Sequence, residues 1–138
     1  MRRTALVLII AMLAFAAVSY AQDEKTKAAE AAADSWLKLV DEGNYGQSWE
    51  EASVSFKASI TKKDWEQRLK GVRDPLGAVN SRKVKAAKYM THLPGAPDGE
   101  YVVIQYDASF ANKKDSVETV TPMLEKDGQW RVTGYYIR

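Results

Sequence analysis

The sequence predicts an α+β fold in which N-terminal helices pack on a curved four-stranded antiparallel sheet. Three observations support this prediction. Apolar residues recur at helical spacing in the first half of the chain, and they alternate every second residue in the second half. Turn residues separate the alternating segments. We expect a signal peptide at residues 1–21. The remaining residues, 22–138, contain no internal repeat and have the length of a single domain.

The first 21 residues have the three parts of a secretory signal peptide. Arg2 and Arg3 are followed by an apolar run at residues 5–18 and by the small residues Ser19 and Ala21 around Tyr20. The run is shorter than the roughly 20 apolar residues that a membrane-spanning helix needs. We therefore expect cleavage after Ala21, a periplasmic or secreted protein, and no membrane attachment after cleavage.

Charge and cysteine content restrict the possible partners. Arg2 and Arg3 are the only charged residues among the first 21, so their removal takes the formal net charge from +2 to zero. A protein without a concentrated basic face is a poor ligand for nucleic acid, and we expect no such partner. The chain has no cysteine, so its stability must come from a hydrophobic core.

Three helices are predicted before the strands. The first covers residues 25–40, the second begins at Tyr45 and ends near Ala52, and the third begins after Thr61, whose hydroxyl can cap it. Proline in the segment 73–77 is expected to end the third helix. The apolar positions of the first and third helices are Ala29, Ala32, Ala33, Trp36, Leu37 and Val40, and Trp65, Leu69 and Val72.

Four strands are predicted at residues 82–91, 101–110, 116–125 and 130–138. The segment 126–128 is a three-residue hairpin turn if Gly128 is left-handed, and Glu125 then pairs with Gln129. In the preceding hairpin, Phe110 is expected to pair with Ser116 across a turn at residues 112–115.

This pairing predicts one polar group on the inner, apolar face of the sheet. Glu118 would lie there beside Tyr106, Tyr136 and Arg82, and these four residues are the candidate ligand-binding site. The carboxylate could position a polar ligand or act as an acid or base. Alternatively, Glu118 and Arg82 form a partly buried ion pair with a tyrosine hydroxyl, which is the interpretation we favour. A register slip of one residue would move Glu118 to the other face.

Several chemistries are excluded by composition and spacing. Without cysteine there is no thiol nucleophile, and with His92 as the single histidine there is no multi-histidine metal site in one chain. The glycines at 95 and 99 lack the spacing of a phosphate-binding loop, and Asp98 and Glu100 lack that of a calcium loop. We therefore assign no catalytic residue, no metal and no cofactor, and interpret residues 91–103 as a strand connection that can form a pocket rim.

The remaining polar and aromatic features have two interpretations each. The helix tryptophans Trp36, Trp49 and Trp65 could stack a ligand, but their spacing favours core packing. Arg73 and Asp74 could form a pocket rim, or Arg73 could contact the carbonyl groups at the helix end.

Basic residues concentrate on the first strand. They could contact an anionic surface, but lysines on an edge strand also prevent unwanted strand pairing, and we favour this second role. The residues are Arg82, Lys83, Lys85 and Lys88.

Long segments of the chain resemble a bacterial family of unknown function, domain-of-unknown-function family 4019. They are SWLKLVDEGNYGQSWEEAS, RDPLGAVNSRKV, LPGAPDGEYVVIQYDASFANK and ETVTPMLEKDGQWRVTGYYIR. The layout also resembles the cystatin-like or nuclear-transport-factor-2-like cone, a superfamily with isomerases, dehydratases and non-catalytic binding modules. The resemblance implies an exported domain and supplies no catalytic residues.

The sequence favours an exported, non-catalytic module that binds a protein partner or a small ligand. The alternative is a small pocket enzyme, isomerase-like or dehydratase-like, with Glu118 as the general acid or base. A structural or inhibitory role is a third possibility. A homodimer through the outer sheet face is also predicted, because that face is expected to hold apolar and small residues. They are Val103, Val117, Thr119, Tyr135 and Ile137.

Overall fold

The computed structural model describes the backbone of residues 2–138 and the side chains of residues 15–138. The helices are α1 (Arg2–Asp41), α2 (Tyr45–Glu50), α3 (Val54–Ser59) and α4 (Lys62–Leu76), and the strands are β1 (Val79–Met90), β2 (Tyr101–Phe110), β3 (Lys113–Leu124) and β4 (Trp130–Ile137). The strands form one antiparallel sheet in the order β1-β2-β3-β4. The predicted α+β class and the four strands are therefore confirmed.

Helix α1 lies across the sheet and contacts all four strands. Most residues of its predicted apolar stripe are buried, as expected for a helix that covers a sheet with one face. The buried ones are Ala29, Ala33, Trp36, Leu37 and Val40. In contrast, the side chains at 15–24 are all exposed, and the first contact with the sheet side is the ion pair of Lys25 with Glu100. Among the residues that the structure describes, no helix is long and apolar enough to cross a membrane.

The connection between α2 and α4 contains a helix that the sequence pattern did not predict. Helix α3 has six residues and buries only Phe56, so it has too few apolar positions to show a period. Ser53 caps it by accepting a hydrogen bond from the backbone N–H of Phe56. The Ser53 N–H in turn donates to the carbonyl oxygen of Val132 at 2.9 Å, which attaches this segment to the edge of β4.

Helix α4 begins as predicted and ends within the predicted segment 73–77. Thr61 caps it, and the helix includes Pro75 before it ends at Gly77, whose φ of 73° is a left-handed conformation suited to glycine. The predicted inward position of Val72 is wrong, because its side chain is 43% exposed. Arg73, one residue later, is buried instead.

The three helix tryptophans are core residues, as we favoured. Trp36 and Trp65 are buried, and their ring centroids lie 6.2 Å apart. Each indole N–H has an acceptor: Trp36 donates to the carbonyl of Ser48 and Trp65 to the hydroxyl of Ser48. Trp49 is partly buried and donates to the carbonyl of Ile60. The tryptophans therefore join the helices to one another.

The β3–β4 hairpin confirms the predicted turn. Gly128 has a φ of 82°, and the N–H of Glu125 donates to the carbonyl of Gln129 at 2.9 Å. The two strands then pair regularly until Pro122, which is opposite Val132, and the next pair is Thr121 with Gly134. Thr133 is the extra residue of a β-bulge. Proline has no N–H for the ladder, so in a central strand it occurs at such irregularities.

The bulge overturns the predicted position of Tyr136. Beyond it, the alternation of β4 is displaced by one residue, so Tyr135 and Ile137 lie on the inner face and Tyr136 on the outer face. Tyr136 is 55% exposed and pairs with Thr119. The expectation that Tyr135 and Ile137 belong to the outer face is therefore also wrong.

The β2–β3 turn is tighter than predicted. Phe110 pairs with Lys113 instead of Ser116, so the turn is Ala111-Asn112. A register shift between Ala108 and Phe110 follows, after which Tyr106 is opposite Glu118. Over most of the hairpin, the predicted register differs from the observed one by an even number of residues. Glu118 therefore keeps its predicted inner face.

The connection between β1 and β2 is a loop, as its prolines and glycines indicated. His92 Nδ1 lies 2.6 Å from Asp98 Oδ1, and both side chains are exposed. Glu100 accepts a hydrogen bond from Tyr89 at 2.7 Å and pairs with Lys25, so it points away from Asp98. The two carboxylates therefore have different partners.

Candidate functional site

Five polar side chains from five different elements meet at the inner face of the sheet. We call them the charged cluster. They are Asp41 at the end of α1, Arg73 in the last turn of α4, Arg82 on β1, Glu118 on β3 and Tyr135 on β4. Two carboxylates face two guanidinium groups, so the formal charges of the cluster cancel.

Glu118 is the centre of the charged cluster. It is 0% exposed, and each of its carboxylate oxygens accepts a hydrogen bond. Arg82 Nε donates to Oε1 at 2.7 Å, and the hydroxyl of Tyr135 donates to Oε2 at 2.5 Å. Burial of an unpaired carboxylate would cost several kcal/mol, so these two donors are what allows Glu118 to lie in the core. This is the ion pair with a tyrosine hydroxyl that we favoured.

Asp41 closes the other side of the charged cluster. Arg82 donates two parallel hydrogen bonds to the Asp41 carboxylate, from Nη1 to Oδ2 at 2.6 Å and from Nη2 to Oδ1 at 2.9 Å. Arg73 Nη2 adds a third at 2.8 Å. Such two-pronged contacts use the planar fork of arginine, which lysine cannot reproduce. Arg73 also lies 4.9 Å from the ring centroid of Phe110, so it stacks on an aromatic face.

Neighbouring charges and burial set the protonation of the cluster. Partial burial acts to raise the pKa of Asp41, but the hydrogen bonds and charges of Arg82 and Arg73 outweigh it, so its pKa lies below the ordinary 3.8. Burial and the Glu118 carboxylate raise the pKa of Tyr135. Asp41 is therefore ionised and Tyr135 neutral at neutral pH.

The structure brings together two of the four predicted site residues. Glu118 and Arg82 are bonded to each other, whereas Tyr136 lies on the opposite face of the sheet. Tyr106 is buried on the inner face, but its hydroxyl donates to Asp34 of α1 at 3.1 Å. Burial and the Asp34 carboxylate raise the pKa of Tyr106.

Three cluster residues were missed by the sequence analysis, and each left a signal. Arg73 continues the spacing of Trp65 and Leu69 by four more residues, which places a charge on an apolar stripe. Asp41 continues the α1 stripe in the same way. Arg73 and Asp74 line a cavity of about 340 Å³, as the pocket-rim interpretation expected, but Arg73 bonds to Asp41 rather than to helix carbonyl groups. Tyr135 could have been found from Pro122, because proline in a central strand indicates a bulge.

An open groove lies beside the charged cluster. We call it the helix–strand groove; it runs between β4 on one side and α3 and α4 on the other, and its volume is about 970 Å³. This is the size of a ligand-binding cleft, typically about 300–1,000 Å³. Its walls combine two core aromatic rings with hydroxyl and charged groups. They include Phe56, Ser59, Trp65, Arg68, Gly134 and Tyr135.

A smaller cavity of about 330 Å³ adjoins the groove and shares Phe56, Ser59 and Gly134 with it. Its other wall is formed by residues 93–97 of the β1–β2 connection. The proline-glycine loop is therefore a strand connection that also forms a cavity rim. Tyr135 connects the groove with the charged cluster, because the residue lines the groove and its hydroxyl binds Glu118. Glu118 lines neither cavity.

Comparison with known proteins gives a family without an assigned activity. Residues 32–135 match the family described as protein of unknown function (DUF4019). The match extends from within α1 to Tyr135 of β4, and so includes all five residues of the charged cluster. No curated protein matches the chain.

The two adjacent tyrosines of β4 should differ sharply in their effect on stability. We expect Tyr135→Phe to lower the free energy of unfolding by about 1–3 kcal/mol, because a buried carboxylate loses a donor. Tyr136→Phe should change it by less than about 0.5 kcal/mol, as for other surface positions. Urea unfolding of both variants measures the difference. Equal effects would contradict the position of the bulge.

Asp41 should contribute to acid stability. Its pKa is lowered in the folded protein, so its stabilising contribution is complete above its ordinary value of 3.8 and is lost as the pH falls through the lower, folded value. We expect the stability of Asp41→Asn to fall less steeply below about pH 4 than that of the unmodified protein. Glu42→Gln, at an exposed neighbour, is the control. Parallel pH profiles for Asp41→Asn and the unmodified protein would contradict this role.

Proposed function

Because the chain belongs to the DUF4019 family, whose name assigns no activity, we propose a function from the site itself. The protein is an exported, non-catalytic binding module, and it holds a small ligand or a segment of a protein partner in the helix–strand groove. We also propose that the domain is a variant of the cystatin-like or nuclear-transport-factor-2-like cone. The layer of helices on one sheet face supports this assignment.

One contrast carries the proposal: Glu118 is enclosed within the charged cluster, whereas the groove beside the cluster is open. A general acid or base must lie within hydrogen-bond distance of the group that it protonates or deprotonates. Glu118 is fully buried, and both of its oxygens are already bonded within the protein. This geometry gives no support to the alternative of a pocket enzyme with Glu118 as its acid or base.

The walls of the groove combine aromatic rings with a larger share of polar groups. Phe56 and Trp65 contact each other edge to face with ring centroids 4.8 Å apart, so they form a rigid apolar wall. The hydroxyls of Ser59 and Thr133 and the cation of Arg68 lie around it. Polar groups beside an aromatic wall can orient a ligand in a pocket of this size.

Export is supported by the start of the domain. The side chains at 15–24 are exposed, so cleavage after Ala21 removes no buried group among the described residues. The Lys25–Glu100 ion pair, four residues beyond the cleavage point, then holds the new end of α1 to the sheet side. We expect the exported protein to begin at Gln22, which its intact mass measures. A mass that includes Met1 would contradict export by a cleaved signal.

A homodimer through the outer sheet face remains a prediction. With the bulge taken into account, the apolar and aromatic residues of that face include Tyr101, Val103, Val117, Met123 and Tyr136. Their two neighbours Gln105 and Thr119 are polar.

A ligand screen with a groove-blocking variant tests the proposal. We expect small-molecule fragments that bind to shift the backbone NMR signals of groove residues, such as Ser59 and Gly134. Ser59→Trp should abolish these shifts, because Ser59 lines both cavities and a large ring would fill the space.

Lys63→Trp is the matched control for that screen, since it places the same ring on an exposed α4 position outside both cavities. It should bind fragments like the unmodified protein. The proposal would be wrong if no fragment bound the groove, or if Ser59→Trp bound them as well as Lys63→Trp. If the protein turned over a substrate, and Glu118→Gln abolished this activity without unfolding the protein, the alternative of a pocket enzyme would be supported.

A further inference from the structure

The open edge of β4 suggests what kind of partner the groove accepts. We propose that the helix–strand groove binds an extended peptide segment of a partner protein, which adds to the sheet as a fifth strand beside β4 and carries an acidic residue. This inference rests on the function proposed above, since it names the class of ligand for the same groove.

The first observation is the direction of the backbone groups of β4. Val117 and Arg138 exchange both hydrogen bonds, N–H to O at 2.9 and 3.1 Å, so they are a hydrogen-bonded pair. In an antiparallel ladder such pairs alternate with pairs whose N–H and C=O groups point away from each other. Ile137 and Tyr135, which are opposite Glu118 and Val120, are therefore the residues of β4 that turn their backbone groups away from β3.

The second observation is that these groups lie on a sheet edge and have no partner. β4 is the last strand of the sheet, so no strand lies beyond it. In the described part of the chain, no hydrogen bond is made by the backbone N–H or C=O of Tyr135 or Ile137 outside the strand ladder. An uncovered edge of this kind is a template for another chain, and natural proteins usually block it.

The third observation is that the same edge is blocked on the other side of the bulge. There the carbonyl of Val132 accepts the N–H of Ser53, and the hydroxyl of Ser55 lies 3.1 Å from that of Thr133. The chain therefore covers the first half of this edge with its own backbone and leaves the second half free. The opposite edge, β1, carries Lys83, Lys85 and Lys88 instead.

The groove determines which occupant fits. Helix α4 packs chiefly on α2 and reaches the sheet through Arg73, and the groove remains open between Arg68 on α4 and Tyr135 on β4. A single extended chain can enter a groove with a helix on one side. A second copy of this domain would bring its own α4 beside its own β4, so the two helices would meet when the edges paired. We therefore favour a peptide segment over a second copy.

Charge gives the chemistry of the segment. Arg68 lines the groove, its side chain is exposed, and it forms no ion pair with any side chain that the structure describes. Asp64, the acid of the groove, already accepts a hydrogen bond from Thr61 at 2.8 Å. An acidic side chain on the peptide would pair with Arg68, while the peptide backbone bonds to Tyr135 and Ile137. Main-chain bonds of this kind give affinity, and alternate side chains give specificity.

A random seven-residue library displayed on phage, selected against the whole protein, supplies the probe. We expect selected peptides to carry an acidic residue, and the best of them to slow amide hydrogen exchange at Tyr135 and Ile137. An N-methyl group on an amide that pairs with β4 should weaken that peptide at least tenfold, and one on the alternate amide should not. Arg68→Ala should weaken binding about twofold to fivefold, as for an exposed ion pair.

The matched variants are Ile137→Pro and Ile137→Ala. Proline removes the outward N–H and is tolerated on the free side of an edge strand, so Ile137→Pro should lose peptide binding. Ile137→Ala should keep it, because it shortens the side chain and leaves the N–H in place. Circular dichroism establishes that each variant is folded. The N-methylated peptides test the backbone bonds between the peptide and β4 independently, because they are used with the unmodified protein.

Each outcome of these experiments has a distinct meaning. If fragments bind the groove but no peptide is selected, or peptides bind without protecting Tyr135 and Ile137, the inference is overturned and the proposed function stands. If neither fragments nor peptides bind there, both are overturned. If sedimentation shows a dimer that Ile137→Pro dissociates, the occupant of the edge is a second copy, and the peptide assignment is wrong.

Discussion

The placement of Glu118 in the core is the constraint on which the rest of the structure depends. A carboxylate without exposure to water must be surrounded by donors, and here one comes from β1 and the other from β4. Arg82 then needs a second carboxylate for the rest of its fork, which Asp41 supplies from the end of α1. Each charge thus requires the next, and together they position three strands and two helices.

The same cluster separates the parts of the inner face that can bind a ligand from those that cannot. The hydroxyl of Tyr135 is bonded to Glu118 and its ring packs on Trp36, while the residue also lines the groove. A ligand in the groove would therefore rest on a side chain whose orientation is already determined by the core. Such preorganisation reduces the ordering cost of binding.

Local patterns were enough to predict most of the fold. Helical spacing gave α1 and α4, alternation gave the four strands, and Gly128 gave the β3–β4 turn, because each of these depends on neighbours in sequence. Helix α3 was missed because six residues with one buried aromatic show no period. The pairing of Glu118 with Arg82 was also predicted. The predicted register was wrong by an even number of residues, so both side chains kept their place on the inner face.

The rest of the site depended on pairing between strands, which local patterns do not determine. A single extra residue, Thr133, exchanged the roles of Tyr135 and Tyr136. The helix–strand groove was not predicted at all, because it arises from the distance between α4 and the sheet edge. Such a distance follows from how helices pack on one another, and no spacing within one segment records it.

The bonds of the charged cluster also determine when the cluster can form. They join residues separated by 17, 32, 36, 41 and 62 positions along the chain, so none joins near neighbours in sequence. Contacts of this kind require the intervening segments to be ordered first, because closing long loops costs entropy before any contact compensates for it. The cluster therefore belongs to the last stage of folding, when the helices already lie on a paired sheet. Its function in folding is to lock a finished arrangement rather than to start one.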